Sequence, residues 1–237
     1  MEIVTGSASI SLPPCVATIG CFDGVHRGHQ YLLEQVHNIA KAEGIASCLI
    51  TFANHPRQVL DTSFRPRLLT CLSQKIERFE QSPIEYCVLL PFTKELSLLS
   101  AREFMKVLHE EYHVQTLFVG HDHHFGHSKN EGFQEYCQYG KEFGMRVMQS
   151  KALTEDGVSV SSTLIRSCLC EGKIELANSY LGYHYYLTGT VVAGRKVGRT
   201  LGFPTANIQP LCADKLLPAL GMYAVKTIEE KLRIRLP

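Results

Sequence analysis

Two imidazoles flank an arginine and a glycine at His26-Arg27-Gly28-His29. They close a longer turn, Gly20-Cys21-Phe22-Asp23-Gly24-Val25, which follows a short apolar run from Cys15 to Gly20. Beyond it, Leu32, Leu33, Val36, Ile39 and Ala40 recur at helical spacing. In an open α/β sheet such a strand-to-helix connection lies at the carboxyl end of the strand, where ligands bind. Gly20 and Gly24 let the backbone turn tightly and approach a ligand. The helix N-terminus offers free N–H groups and a positive dipole end to an anion. Both imidazoles can then reach one triphosphate, donate to its non-bridging oxygens and stabilise charge on a departing pyrophosphate. Gly28 keeps the space between the rings clear. Two other readings stay open: incidental loop histidines, and zinc, for which no third ligand follows on the same helix.

The elements that must position this turn follow from two periods. Apolar runs at residues 45–52, 85–90, 115–119 and 145–148 read as further strands, and residues 28–42 and 131–143 as helices. Ser100-Ala101-Arg102-Glu103 is a capping box that opens another helix through Phe104, Val107 and Leu108. Strands separated by helices predict an α/β fold, a doubly wound, mainly parallel sheet with helices on both faces. After about residue 183 the pattern changes. Residues 185–192 alternate β-branched and aromatic side chains, residues 194–204 are glycine-rich, and residues 222–226 read as a short strand with no helix of useful length. The sequence thus predicts an α/β domain at 1–182 and a β-rich segment at 183–237.

Composition narrows the partners. The chain has 237 residues, 45% hydrophobic and 20% charged, with a net charge of +1. Such a balance does not point to nucleic acid as a partner, so any phosphate recognition is local. Residues 1–11 lack a basic n-region and an apolar h-region, and no apolar run reaches the ~18 residues of a membrane span. Nine cysteines without a Cys-x-x-Cys pair read as reduced thiols of a cytoplasmic protein. Cys168 and Cys170 fall on different faces of their helix. Oligomeric state has no signal here.

At these residues the sequence resembles the HxGH nucleotidylyltransferases, and more specifically the prokaryotic bifunctional riboflavin kinase/FMN adenylyltransferase (FAD synthetase) family. Four segments carry the resemblance in the family's order. They are Gly20-x-Phe22-Asp23-Gly24-Val25-His26-x-Gly28-His29; Thr51-Phe52-Ala53-Asn54-His55-Pro56; Val119-Gly120-x-Asp122 with Phe125-Gly126 and then Ser161-Ser162-Thr163-x-Ile165-Arg166; and Gly198-Arg199-x-Leu201-Gly202-Phe203-Pro204-Thr205-Ala206-Asn207. The resemblance implies a Rossmann-like nucleotidyltransferase sheet followed by part of a β-barrel. It implies transfer of AMP from ATP to FMN with release of pyrophosphate, without a covalent enzyme intermediate. His26, His29 and Arg166 would be catalytic. Gly20, Phe22, Asp23, Gly24, Gly28, Asp122, Ser162 and Thr163 would join them in binding ATP, with Mg²⁺ bridging phosphate oxygens rather than sitting in a protein cage. Locally, Ser162-Thr163 reads equally as a plain helix cap. Phe52, Asn54, His55 and Pro56 would hold the flavin, while Phe52 alone also reads as core. Thr205 and Asn207 match the kinase motif that holds Mg²⁺ and ATP phosphates for phosphorylation of riboflavin.

The chain departs from the family where Asn54 replaces a usual proline and where His124 and Leu164 replace frequent arginines. His121, His123, His124 and His127 read either as a metal site or, without a suitable carboxylate, as a polar loop at the mouth of the ATP site with Asp122 facing the nucleotide. The family's kinase base is a glutamate in a later segment, and Glu229 and Glu230 match nothing. Riboflavin kinase activity is therefore expected to be weak or absent. Another HxGH transferase and a flavin- or nucleotide-binding regulator remain as alternatives.

Overall fold

The computed structural model describes residues 1–5, 12–121, 123–128, 130–151, 153–155, 157–195, 197–203, 205–228 and 233–235. They form two compact units. The first comprises Met1–Pro66 and Leu72–Val160; the second comprises Arg67–Cys71 and Ser161–Pro237.

The first unit holds a six-stranded sheet: β1 (Glu2–Thr5), β2 (Cys15–Gly20), β3 (Ala46–Phe52), β4 (Tyr86–Leu90), β5 (Val114–Val119) and β6 (Arg146–Gln149). Its order is β1-β4-β3-β2-β5-β6, and every pairing is parallel. From β2 the chain steps outward through β3 to β4, then returns to the other side of β2 to place β5. The carboxyl ends of β2 and β5 therefore flank the point where strand order reverses, which opens a crevice for ligands.

Both sheet faces are apolar, as the near-continuous hydrophobic runs predict for buried parallel strands. Val16, Leu49, Cys87, Leu89 and Phe118 face one layer with Leu32, Leu33 and Val36 of α1 (Arg27–Glu43) and Phe79 of α3 (Leu72–Glu80). Ala17, Ile19, Ile50, Val88, Leu117 and Val119 face the other, against Phe104, Met105 and Leu108 of α5 (Ala101–Glu110) and Tyr136 of α6 (Phe133–Phe143). The predicted capping box is present: Ser100 Oγ accepts from Glu103 N at 3.2 Å, and the Glu103 carboxylate accepts from Ser100 N at 2.8 Å. α1 and α6 both stop at glycines in the left-handed region, Gly44 at φ 68° and Gly144 at φ 71°. Two short helices, α2 (Pro56–Leu60) and α4 (Lys94–Leu98), follow β3 and β4, and a two-stranded antiparallel ribbon of β7 (Thr154–Glu155) and β8 (Val158–Ser159) follows β6.

The second unit carries α7 (Ser162–Cys170), α8 (Ile174–Leu181) and the single-turn α9 (Val197–Thr200). As expected, Cys168 is buried and Cys170 exposed. Its sheet runs β10 (Asn207–Pro210), β9 (Tyr186–Val192), β12 (Arg233–Arg235), β11 (Lys226–Ile228), all antiparallel. The strand expected at 222–226 is displaced to β11, and Leu220 and Met222 stand fully in solvent. Residues 67–71 join this unit through Leu68, whose N–H donates to Asp214 O and whose carbonyl accepts from Leu216 N, both at 2.8 Å. The Lys215 ammonium donates to Leu69 O and lies 4.2 Å from the centre of the buried Tyr185 ring. The break between units thus falls at Val160/Ser161, with α7 and α8 on the far side of it.

Candidate active site

The turn after β2 is built under backbone strain. Phe22 (φ 49°), Gly24 (φ 84°) and Val25 (φ 38°) all occupy the left-handed region. Glycine does so freely, but a β-branched valine does not, and such outliers persist only where the surroundings over-determine them. Here Val25 N donates to Phe22 O at 3.1 Å, Gln30 Nε2 donates to Val25 O at 2.8 Å, and the Phe22 and Val25 side chains are buried. Gly20 lies against the Phe22 ring, where a β-carbon would stand 3.1 Å from Cε2.

His26 is the N-cap of α1: its Nδ1 accepts from His29 N at 3.4 Å. A neutral His26 ring accepting at Nδ1 carries its proton on Nε2. The two imidazoles stack, with centroids 3.6 Å apart and planes at 20°, and His29 meets the Phe22 ring edge-on at 5.1 Å. A β-carbon at Gly28 would stand 3.2 Å from Cε1 and Nδ1 of His26, so it would press on this ring rather than fill the gap between the two. His29 Nδ1 is buried without a hydrogen-bond partner among the described residues. Burial, then the neighbouring His26, Lys75 and His123, hold the His29 imidazole well below its usual pKa. It is therefore neutral at neutral pH.

A titration follows, with its sign fixed. The unfolded chain protonates His29 near the model-peptide value of 6.5, while the folded chain resists until lower pH. The unfolded state then binds more protons, so this group's contribution is intact above pH 6.5 and is lost as pH falls through the folded value. Thermal melts of wild type and His29→Gln between pH 7.5 and 5 are expected to diverge in slope below pH 6.5, the variant losing less. Parallel slopes would remove the effect.

Beside the turn lies an apolar cavity of about 590 Å³ within the first unit. Ile19 and Cys21 from the end of β2, Phe52 and Pro56 from the segment after β3, and Phe92, Leu96 and Leu99 around α4 contribute to its lining. Phe104, Phe125 and Gly126 complete it, together with His123, His124 and His127. Phe52 and Phe92 meet edge to face at 5.2 Å. Of the four residues expected around a flavin, Phe52 and Pro56 line this cavity. Asn54 is exposed and clamps a loop: its Nδ2 donates to Phe92 O at 2.9 Å, and its Oδ1 accepts from Phe92 N at 2.8 Å. His55 caps α2, with Nδ1 accepting from Arg57 N at 3.2 Å.

The histidine cluster also differs from a polar rim. His123, His124 and His127 line the cavity, and His124 Nδ1 lies 3.2 Å from Glu131 O. Among the described residues no three His, Cys, Asp or Glu side chains gather as metal ligands. Asp122 lies outside the described residues. Sequence reasoning missed Lys75, Phe92 and the 96–99 segment. For Lys75 a signal existed: it sits between Leu72, Ile76 and Phe79 on the apolar stripe of its helix.

Residues 9–164 match the family model described as FAD synthetase, and residues 181–234 match riboflavin kinase. The chain belongs to the FAD synthetase family. Relatives carrying the description bifunctional riboflavin kinase/FMN adenylyltransferase include the Escherichia coli K12 protein, 33% identical over 96% of this chain and 74% of that protein. Those of Buchnera aphidicola (from Schizaphis graminum) and Listeria monocytogenes are each 37% identical, over 88% and 89% of this chain and 67% of theirs. The crystal structure of a macrolide-efflux protein from Streptococcus pneumoniae superposes with a TM-score of 0.83 at 22% identity, over 100% of this chain and 84% of that one. At that identity the likeness concerns the fold alone.

The remaining FAD synthetase family positions fall in the second unit. Ser161, rather than Ser162 or Thr163, caps α7, its Oγ accepting from Leu164 N at 3.2 Å, so Ser162 and Thr163 occupy the first turn. Arg166 is half-buried and donates from Nε to Arg67 O at 2.9 Å. Thr205 and Asn207 are exposed on the approach to and start of β10; Gly194 packs against the Asn207 side chain, and Gly198 against Phe203 O with Thr205 beside it, so closely that no β-carbon fits at either glycine. Pro204 lies outside the described residues.

Proposed function

We propose that this chain joins AMP from ATP to FMN, forming FAD and releasing pyrophosphate. The observation that carries the reading is the stacked His26–His29 pair at the N-terminus of α1, at the reversal of strand order and in the same unit as the aromatic cavity. A phosphate oxygen of FMN attacks the α-phosphorus of Mg·ATP, and the bond from that phosphorus to the β-bridging oxygen breaks. The electron pair leaves with pyrophosphate. Neutral imidazole N–H groups and the free N–H groups of the first helical turn receive the charge that builds on the leaving group. Mg²⁺ would arrive with the nucleotide and would offset the charge of its phosphates. The cavity volume suits a planar tricyclic ring, within the roughly 300–1,000 Å³ of small-molecule sites, and its phenylalanines offer stacking and edge contacts. Ser162, Thr163 and Arg166 carry hydroxyls and a guanidinium, groups of the kind that bind phosphate. Incubation with FMN and Mg·ATP is expected to yield FAD and pyrophosphate in equal amounts. Binding of both without pyrophosphate release would make the chain a sensor instead, and preference for CTP would reassign the transferred group.

We infer that the second unit phosphorylates riboflavin weakly. Support comes from its sheet, whose edge strands β10 and β11 pair with no further strand among the described residues, and from Leu201, Phe203, Leu220 and Met222, which are solvent-exposed. Such edges and apolar side chains are what a closed barrel would cover. With riboflavin and Mg·ATP, FMN formation by this chain is expected to stay far below its FAD formation from FMN; comparable rates would overturn the inference.

A further inference from the structure

Lys75 is the buried cation of the first unit that the reaction above does not use. It stands on α3, 8% exposed, among Leu72, Ile76 and Phe79. Its ammonium donates to three oxygens: Cys21 O at 3.2 Å, Thr51 Oγ1 at 3.2 Å and Phe52 O at 3.1 Å. Three donors meet three acceptors, which is how a desolvated ammonium is made tolerable. The acceptors are not scattered. Gly20 pairs with Thr51 in the parallel register of β2 and β3, so Cys21 and Phe52 are the positions at which the two strands end side by side. Cys21 opens the strained histidine turn, Phe52 opens the aromatic segment, and both line the cavity.

We propose that Lys75 is a positioning residue for adenylyl transfer, fixing the nucleotide turn and the flavin wall to one another through the carbonyls that end β2 and β3. The inference rests on the reading of the site as an FMN adenylyltransferase centre. A helix lysine that ties two strand ends continues the link between β2 and β3 past Gly20 and Thr51, where their pairing stops. Misplacement by about 1 Å costs on the order of 10²-fold in such position-dependent transfers. Charge adds a second effect. Burial holds the Lys75 pKa down and Cys21, Asp23 and Cys87 oppose that shift, while burial, then His26, the Lys75 ammonium and His123, disfavour protonation of His29. Loss of the Lys75 charge therefore raises the pH at which His29 takes up a proton.

Five readouts on the full chain test this. In Lys75→Met, FMN binding followed by flavin fluorescence and Mg·ATP binding followed by calorimetry, each alone, are expected to weaken at least roughly tenfold, and kcat to fall further. The acid limb of the FAD-formation profile and the His29 ring titration seen by NMR are both expected to move to higher pH. Lys75→Arg keeps the charge, but its planar fork cannot converge on three oxygens. It is expected to hold the limb in place while weakening both ligands by roughly threefold or more, and it serves if the methionine variant does not fold. Wild-type affinities or an unmoved His29 titration in Lys75→Met, or wild-type affinities in Lys75→Arg, would overturn the proposal whatever the melting temperature. The ring titration needs no ligand. A wild-type chain that makes no FAD therefore sinks the adenylyltransferase reading, while an unmoved titration sinks the role of Lys75.

Discussion

Replacing His29 with alanine is expected to lower the rate of FAD formation at least ~10²-fold, the scale for losing one donor that meets developing charge. Little of that loss should come from unfolding. His29 lies in the first turn of α1, alanine is the best helix former, and the ring it removes is only partly enclosed. Its contacts are the face of His26 and the edge of Phe22. Its Nδ1 meets no partner among the described residues, so truncation strands no hydrogen bond there. His26 is different, because its Nδ1 also caps the helix by accepting from His29 N. Removing that ring adds about 1 kcal/mol of lost capping to the catalytic loss. The comparison separates chemistry from scaffolding: His29→Ala should keep its melting temperature and lose turnover, and His26→Ala should lose both. Near-wild-type FAD formation in His29→Ala, measured by chromatography with pyrophosphate release as a second readout, would take this histidine out of the mechanism.

The parts visible in the sequence are those dictated by local chemistry. Apolar runs such as Cys15–Gly20 and the capping box at Ser100 need only their own residues to be recognised, and both stand where the patterns put them. The histidine turn was equally visible, because glycines and imidazoles at the end of an apolar strand have few other uses. What stayed hidden depends on distant partners. β1 has four residues and one buried side chain, Val4, and exists because β4 offers it an edge. Asn54 looks like a ligand contact until Phe92, 38 residues later, takes both ends of its amide. Residues 67–71 leave the first unit because Asp214 and Leu216 pair with Leu68. The strand expected at 222–226 is displaced to β11, and Met222 is exposed. The sequence leaves the His121–His127 cluster between a metal site and a polar loop, and the apolar cavity that His123, His124 and His127 line is assembled only by the fold.

Gly126→Ala is expected to be the most destabilising single-methyl change in the first unit. Gly126 sits at φ 89°, and an alanine there costs about 1–2 kcal/mol from the backbone alone. The methyl then meets backbone: a β-carbon would lie 2.5 Å from Ala101 N, 2.8 Å from its Cα and 2.9 Å from its Cβ. Those atoms cannot retreat. Ala101 is fully buried at the start of α5, and the reciprocal Ser100–Glu103 bonds hold that helix end. Nor can the loop swing out freely, because His127 N donates to Leu99 O at 2.9 Å. Overpacking of this kind adds about 1–3 kcal/mol. The sum, about 3.5 kcal/mol at mid-range, corresponds to a fall in melting temperature of roughly 7–14 °C for a chain of this size. The ligands should respond unequally. Gly126, His127 and Leu99 line the aromatic cavity, whereas the His26–His29 turn is held by α1, Gln30 and the Phe22 ring. FMN affinity is therefore expected to drop at least tenfold, about 1.4 kcal/mol, while Mg·ATP affinity stays near wild type. A melting temperature within about 2 °C of wild type would show that α5 yields. Equal losses for both ligands would show that cavity and turn are not separable sites.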